Sequence, residues 1–369
     1  MDPGGEYDRG LLRGIAKYCR LHGPWSFYGN FGISKEEMPY KKDFRADGII
    51  SRDLSDITAS MKGIPAVVCS SSQEDTSQVS TISLDSRLVG DMAARHLLER
   101  GFKNFAFCGL SEKYWSAERS RSFSAKTAQA GCKAIIYKAP KHIEKSSWVR
   151  EQNYMAKWLK SLPKPVGLFA CNDSKAQHVM QACRMAGLKV PDEVAVLGVD
   201  NDELLCNLSN PSISSVELDF ERAGYEAAQL LANLIIGKEK KNRRIVVNPV
   251  SIKTRQSTET LAIEDAEVAS ALRFIRDNFT KPISVVDVLD HVKLSRRSLE
   301  LRFRNSLGYS INYQIRQMRV EYACRLLRET NMPVKQIAGK LGYPDTTHIA
   351  RYFRTAKGMS LKAYREKFG

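Results

Sequence analysis

At 369 residues, with 43% hydrophobic and 27% charged side chains, the chain has globular composition and exceeds one ordinary core, so two or three folding units are expected. No run approaches the ~20 consecutive apolar residues of a membrane span. The opening Met1-Asp2-Pro3-Gly4-Gly5-Glu6-Tyr7-Asp8-Arg9 has neither part of a secretory signal, which points to the cytoplasm and to no membrane partner. The formal charge of +16 is uneven: residues 281–369 hold 18 Lys/Arg against 7 Asp/Glu, which makes the C-terminal quarter the place for a polyanion to dock.

In chain order, apolar periodicity predicts a helix over 7–22, with Leu11, Leu12, Ile15, Ala16 and Cys19 on one face and Gly23-Pro24 ending it. Strand-like runs follow at 48–50, 66–69 and 79–84, then a helix over 86–100 closed by Gly101 and a strand over 105–108. The rhythm returns with a strand at 166–170, a helix over 174–186 closed by Gly187, and a strand at 195–199. Such alternation implies parallel sheets covered by helices on both faces. Polar Arg255–Thr260 and acidic Glu264-Asp265-Ala266-Glu267 break the pattern and read as a linker. The division is therefore an α/β domain over 1–258, a linker over 259–267 and an all-α domain over 268–369. The last has helices expected at 268–279, 285–291, 296–306, 311–328, 334–341, 346–357 and 361–368.

The all-α domain repeats one motif. In the first copy Val285, Val288 and Leu289 face inward, Ser295 is placed to cap the next helix, and Leu299 and Phe303 anchor that helix at i and i+4. In the second, Ile337, Ala338 and Leu341 face inward, Gly342 permits the turn, Asp345 is the cap, and Ile349 and Phe353 repeat the anchor pair. Both read as helix, tight turn, helix.

The runs Ile337-Ala338, Leu341-Gly342-Tyr343, Arg351-Tyr352-Phe353-Arg354, Lys357-Gly358-Met359-Ser360 and Ala363-Tyr364-Arg365 resemble the AraC/XylS family of regulators over roughly 265–369, with Leu361 in place of the usual proline. The resemblance implies a rod helix over 311–328 that holds two reading helices in successive major grooves of double-stranded DNA. It points Arg296, Arg297 and Glu300 of the first, and Thr346, Thr347 and Arg351 of the second, toward base edges, with phosphate contact or solvated surface as the alternative for each. Leu301 stands where relatives carry a basic residue, so the first helix is expected to read fewer bases.

In the α/β domain polar residues end the strands: Asp85, Asn172-Asp173 and Asp200-Asn201-Asp202, with Trp115 and Arg119 after the strand 105–108. Strand ends line the crevice where open α/β sheets bind ligands. Carboxylates, an amide, a guanidinium and a flat ring suit a polyhydroxylated ligand, because adjacent hydroxyls pair with planar bidentate groups and a C–H face stacks. Asp85 is equally placed to cap the following helix. The runs Asp85-Ser86-Arg87-Leu88-Val89-Gly90, Ala117-Glu118-Arg119, Asn172-Asp173 and Val190 to Asn201, with Gly224 to Gly237, resemble the ligand-binding domain of the lactose/galactose repressor family, itself like periplasmic sugar-binding proteins. That implies two α/β lobes about a hinged cleft, with Arg119, Asp173 and Asp200 at sugar-contact positions. The family begins with a buried strand before the helix of Tyr7-Asp8-Arg9, so either the start is truncated or the first lobe lacks its central strand.

The expected fold is thus a two-lobed, periplasmic-binding-protein-like α/β sensor followed by an all-α domain with two helix-turn-helix units, and the expected function is sugar-responsive regulation of transcription. The effector expected from the resemblance is an aldopentose such as xylose, with another pentose, a rhamnose-like sugar or a nucleoside as alternatives, at a cleft of Asp85, Trp115, Arg119, Asp173, Asp200 and Asn201. A homodimer is expected, and RNA polymerase is a candidate partner. An enzyme is not expected, for want of a P-loop, a G-x-S-x-G elbow, zinc spacing or a Cys/His pair. A transport-type binding protein would need an export signal and no helix-turn-helix units. No metal or cofactor is expected, and the eight cysteines stand singly, as reduced and mostly buried residues do.

Overall fold

In the computed structural model the described residues are 4–28, 46–52, 63–69, 79–138, 148–259, 263, 265–343 and 345–368. They divide into two compact units, Met1–Ala262 and Ile263–Gly369. Among the sequence expectations, Met1 to Pro3 and, in the expected linker, residues 260–262 and Glu264 lie outside the described residues.

The first unit holds two sheets. One contains β1 (Ile49–Ser51), β2 (Ala66–Cys69), β3 (Ser80–Leu84) and β9 (Arg244–Val247), all parallel and in that order. The other contains β4 (Asn104–Cys108), β5 (Ala134–Ile136), β6 (Val166–Ala170), β7 (Val194–Val199), β8 (Ser214–Leu218) and β10 (Pro249–Lys253). Its order is β10-β8-β7-β6-β4-β5, and only β10 runs antiparallel. β6 and β7 are buried along their whole length, as their unbroken apolar runs require in a sheet covered on both faces. Among the described residues no strand precedes the first helix.

The covering helices are α1 (Glu6–His22), α2 (Ser86–Glu99), α3 (Tyr114–Gln129), α4 (Trp148–Ser161), α5 (Asp173–Ala186), α6 (Glu203–Leu208) and α7 (Phe220–Ile235). α1 and α7 pack together over the first sheet, and α2 packs on α3 and the second sheet. The α1–α7 pair meets backbone to backbone: a Cβ on Gly14 would lie 2.0 Å from the Glu221 carbonyl oxygen, and one on Gly224 2.1 Å from that of Leu11.

Three segments cross between lobes, at Asp85, Asp219 and Asn248. They are tied to one another where the Asp85 N–H donates to the Val247 carbonyl at 3.0 Å and the Asp219 N–H to that of Asn248 at 3.3 Å. Asp85 and Asp219 also cap α2 and α7, accepting from the N–H groups of Leu88 and Arg222.

The polar break after Lys253 begins inside the sensor instead of in a linker. A 3₁₀ turn, Gln256–Thr258, buries Ser257 and Thr258 completely. The Ser257 hydroxyl donates to the Val196 carbonyl at 2.6 Å and accepts from the Ser214 N–H at 2.8 Å, while the Thr258 hydroxyl donates to Ser214 Oγ at 2.7 Å. From α2, His96 reaches the Thr258 hydroxyl and Arg100 Nε donates to its carbonyl, both at 2.9 Å. Hydroxyl hydrogen bonds, not apolar side chains, bury this segment, which is why its polarity reads as exposure.

The second unit contains α8 (Ala266–Asn278), α9 (Val285–Val292), α10 (Arg296–Leu307), α11 (Ile311–Glu329), α12 (Val334–Lys340), α13 (Thr346–Lys357) and α14 (Leu361–Phe368). The acidic end of the expected linker is already helical, for Asp265 caps α8 and Glu267 lies in its first turn. Two hydrophobic clusters stand apart: Val268, Ala271, Ile275, Val288, Leu299, Phe303, Ile311 and Ile315 form one, and Val320, Ala323, Leu327, Ile337, Leu341, Ile349 and Phe353 belong to the other. Both expected anchor pairs are thus buried.

Candidate functional site

The polar centre of the sensor is the turn after β7. Asp200 and Asn201 adopt φ of 103° and 52°, left-handed values that side chains other than glycine seldom take. Three consecutive amides hold them there: Asp200 N–H donates to the Val216 carbonyl (2.9 Å), Asn201 N–H to Ser215 Oγ (3.0 Å) and Asp202 N–H to Asp173 Oδ2 (2.8 Å). Asp173, 2% exposed, also accepts from the Ser215 hydroxyl at 2.6 Å, so both its oxygens are engaged in building this turn. Burial, reinforced by the Asp200 charge, pushes its pKa up to about 8.

Asp200 itself makes no hydrogen bond through its carboxylate among the described residues. Burial raises its pKa to about 6 against the pull of Arg119 and Arg52. Arg119, 1% exposed on α3, donates to the Cys171 carbonyl, while its Nε has no hydrogen-bond partner among the described residues. Its guanidinium lies 4.9 Å from the Trp115 ring centroid, so one face of that half-buried ring is taken. Asn201 accepts through Oδ1 from Arg255 Nη2 at 2.8 Å, and Arg255 opens the buried exit segment. Asp85 sits at the lobe crossing with one oxygen on its helix cap. A cavity of about 330 Å³ opens onto Asp200 and Asn201 and is also lined by Glu6, Arg13 and Glu217.

A polar cluster on the first lobe was not legible in the sequence. Tyr7 stands at the start of α1 with the Arg52 guanidinium 4.3 Å from its ring centroid, and Arg52 pairs with Asp8 at 2.5 Å. The charge of Arg52 lowers the pKa of Asp200 against the rise that burial causes. Outside this pair, Arg9 of α1 reaches Asp202 at 2.7 Å, an ion pair that spans the lobes. Tyr7, Asp8 and Arg52 are single residues at the start of α1 and just after β1; the one signal available was that a polar residue follows β1, as Asp85 follows β3 and Asp200 follows β7.

In the second unit Arg296, Arg297, Thr347 and Arg351 are exposed at the starts and along one side of α10 and α13, with Glu300 and Thr346 half-buried beside them. Ser295 caps α10 through the Ser298 N–H, and Asp345 caps α13 by accepting from Thr347 (2.7 Å) and His348 (3.3 Å), bonds that hold its carboxyl below the usual range. Leu301, 60% exposed, leaves the outer face of α10 with an apolar residue among arginines. Among the described residues no cluster of three metal-ligating side chains occurs, and no helix is long and apolar enough to cross a membrane.

Residues 94–258 match the model of a periplasmic binding protein-like domain, and residues 288–367 that of a helix-turn-helix domain. The chain is 31% identical to the xylose operon regulatory protein of Haemophilus influenzae, over 97% of this chain and 95% of the relative. It is equally identical to that of Escherichia coli K12, over 98% and 94%. A solved xylose-binding transcription activator, XylR, aligns with a TM-score of 0.78 at 31% identity, covering 99% of this chain and 96% of that one. The chain belongs to the family of xylose operon regulatory proteins. As a member of that family it is a DNA-binding transcription regulator and not an enzyme, with the α/β sensor and the helix-turn-helix reader in the order the sequence implied.

Proposed function

We propose that the chain is a cytoplasmic regulator of pentose genes whose sensor binds an aldopentose, xylose foremost, in the cleft of Asp200 and Arg119. The observation that carries this reading is a pair of planar groups with unused hydrogen-bonding capacity at one place: a carboxylate with no partner among the described residues and a buried guanidinium with an orphaned Nε. Adjacent sugar hydroxyls donate to such a carboxylate and accept from such a guanidinium. Asn201 and Trp115 complete the wall on the second lobe, Tyr7 and Arg52 close it from the first, Asp173 holds the turn from behind and Asp85 stands at the hinge. The relatives' names favour xylose over another pentose, a rhamnose-like sugar or a nucleoside.

In the reader, Arg296, Arg297, Glu300, Thr346, Thr347 and Arg351 face base edges, and the sensors pair as a homodimer so that two readers bind tandem sites, with RNA polymerase as a further partner. The functional division is a sensor over 1–258, a linker that begins at 259 and a reader whose first helix begins at Ala266. Calorimetry of the full chain against xylose, arabinose, ribose, rhamnose and a nucleoside tests the effector. Xylose should bind tightest, and Asp200→Ala should weaken it by about 1–3 kcal/mol or more, the cost of unpairing a buried hydrogen bond. A nucleoside preferred over every sugar, or unchanged affinity in Asp200→Ala, would defeat this reading.

A further inference from the structure

The two hydrophobic clusters of the reader share no buried residue, so each reading helix is anchored in the core of its own half. What joins the halves decides the phase at which α10 and α13 meet DNA. The rod α11 belongs to both: Ile315 and Met318 face the first cluster, Val320 and Ala323 the second. Between them stands Arg319, 8% exposed.

We infer that Arg319 is the positioning residue that fixes the angle between the two reading helices. Its guanidinium leaves the rod and binds three carbonyls of the loop that enters the first helix-turn-helix unit: Nε donates to Phe279 at 2.8 Å, and Nη2 to Lys281 at 2.6 Å and to Ile283 at 3.3 Å. The same guanidinium lies 5.2 Å from the ring centroid of Tyr343, in the turn of the second unit. Next to Tyr343, Gly342 (φ +70°) presses on that same loop so closely that a Cβ there would lie 2.7 Å from the Pro282 nitrogen. One side chain therefore clamps the entry loop of one unit to the turn of the other, at the middle of the rod. Phe279 adds an edge-to-face contact with Tyr322 at 5.5 Å, and Arg316 covers the Tyr352 ring on α13 at 4.2 Å, so the second reading helix is tied to the rod beside the clamp.

Geometry makes the angle matter. Reading helices in successive major grooves sit about 34 Å apart, and a tilt of about 10° on half that lever moves one of them by about 3 Å, close to the rise of one base pair. A planar fork binding three carbonyls at fixed directions resists such a tilt, whereas a lysine ammonium is a point donor on a flexible stem.

The test is selection from a pool of random duplexes of about 22 base pairs, room for one reader, by the full chain and by its Arg319→Lys and Arg319→Ala variants. The parent should recover two sequence blocks at one separation and prefer it at least tenfold over a one-base-pair insertion. The variants should recover the same blocks at scattered separations, with that preference reduced to threefold or less. A variant that keeps the single separation while binding every fragment more weakly would make Arg319 a merely stabilising residue and overturn the assignment, as would a parent that selects no fixed separation. If circular dichroism shows Arg319→Ala unfolded, Arg319→Lys decides: a retained separation there overturns it, a scattered one upholds it.

Discussion

Asp200 is kept in a left-handed conformation by three amide bonds on its own turn, at a cost on the order of 1–3 kcal/mol that the surrounding β8 and α5 contacts must offset. Its carboxyl is also kept partly protonated by burial, with a pKa of about 6, and Asp173 behind it titrates near 8. Both values lie above the ordinary aspartate range, so the folded sensor binds protons that the unfolded chain releases. Stability from this source is fully present below about pH 4 and is lost as pH rises through 6 and then 8. Asp200→Asn should therefore flatten the fall in urea midpoint of the sugar-free protein between about pH 4 and 6, and parallel curves for parent and variant would refute the shift. Sugar binding should in turn release protons near pH 6, since hydroxyl donors favour the ionised carboxylate. Calorimetry in buffers of different ionisation enthalpy reads that release directly, and an enthalpy independent of buffer would argue against it.

The α1–α7 pair shows how an element depends on what is missing from its side chains. With Gly14 and Gly224 each facing a carbonyl of the partner helix, Gly14→Ala should force the helices apart and destabilise the sensor by about 1–3 kcal/mol or more, seen as a lowered thermal midpoint with the reader's DNA binding unchanged. Elements of this kind were largely legible beforehand. Apolar periodicity marked α1, α2, α5 and the reader helices, and unbroken apolar runs marked β4, β6 and β7, because burial there is achieved by hydrophobic side chains. β8 was not legible: Ser214 and Ser215 are completely buried, but through hydroxyl bonds to Ser257, Arg255 and Asp173 that only the fold supplies. The cleft divides in the same way. Arg119, Asp173 and Asp200 follow strands whose ends point to a crevice, whereas Tyr7 and Arg52 belong to the other lobe and meet each other only through the fold, from segments separated in the chain.

At the scale of the whole molecule, a sugar can change DNA binding only through a difference in its affinity for two states of the protein. Arg255 connects the Asp200–Asp202 turn to the exit segment, donating to Asn201 with one end while its backbone bonds Ser214. Arg255→Ala is expected to leave sugar affinity within a few-fold of the parent and to diminish the sugar-dependent change in DNA affinity; a full response in the variant would exclude this route. Coupling through a sensor dimer makes a separate demand, that sugar alter binding to two-site fragments far more than to one-site fragments. An equal effect on both would exclude dimer geometry. Ser257 and Thr258 also determine where this protein can be recombined. A chimera that gives the sensor a foreign reader must be joined after Thr258, because a seam before Arg255 strips the Ser214 N–H and the Val196 carbonyl of the hydroxyl they share. Each buried group so orphaned costs about 1–3 kcal/mol. Seen as a part for exchange, the sensor carries through Thr258 the residues that plug its second lobe.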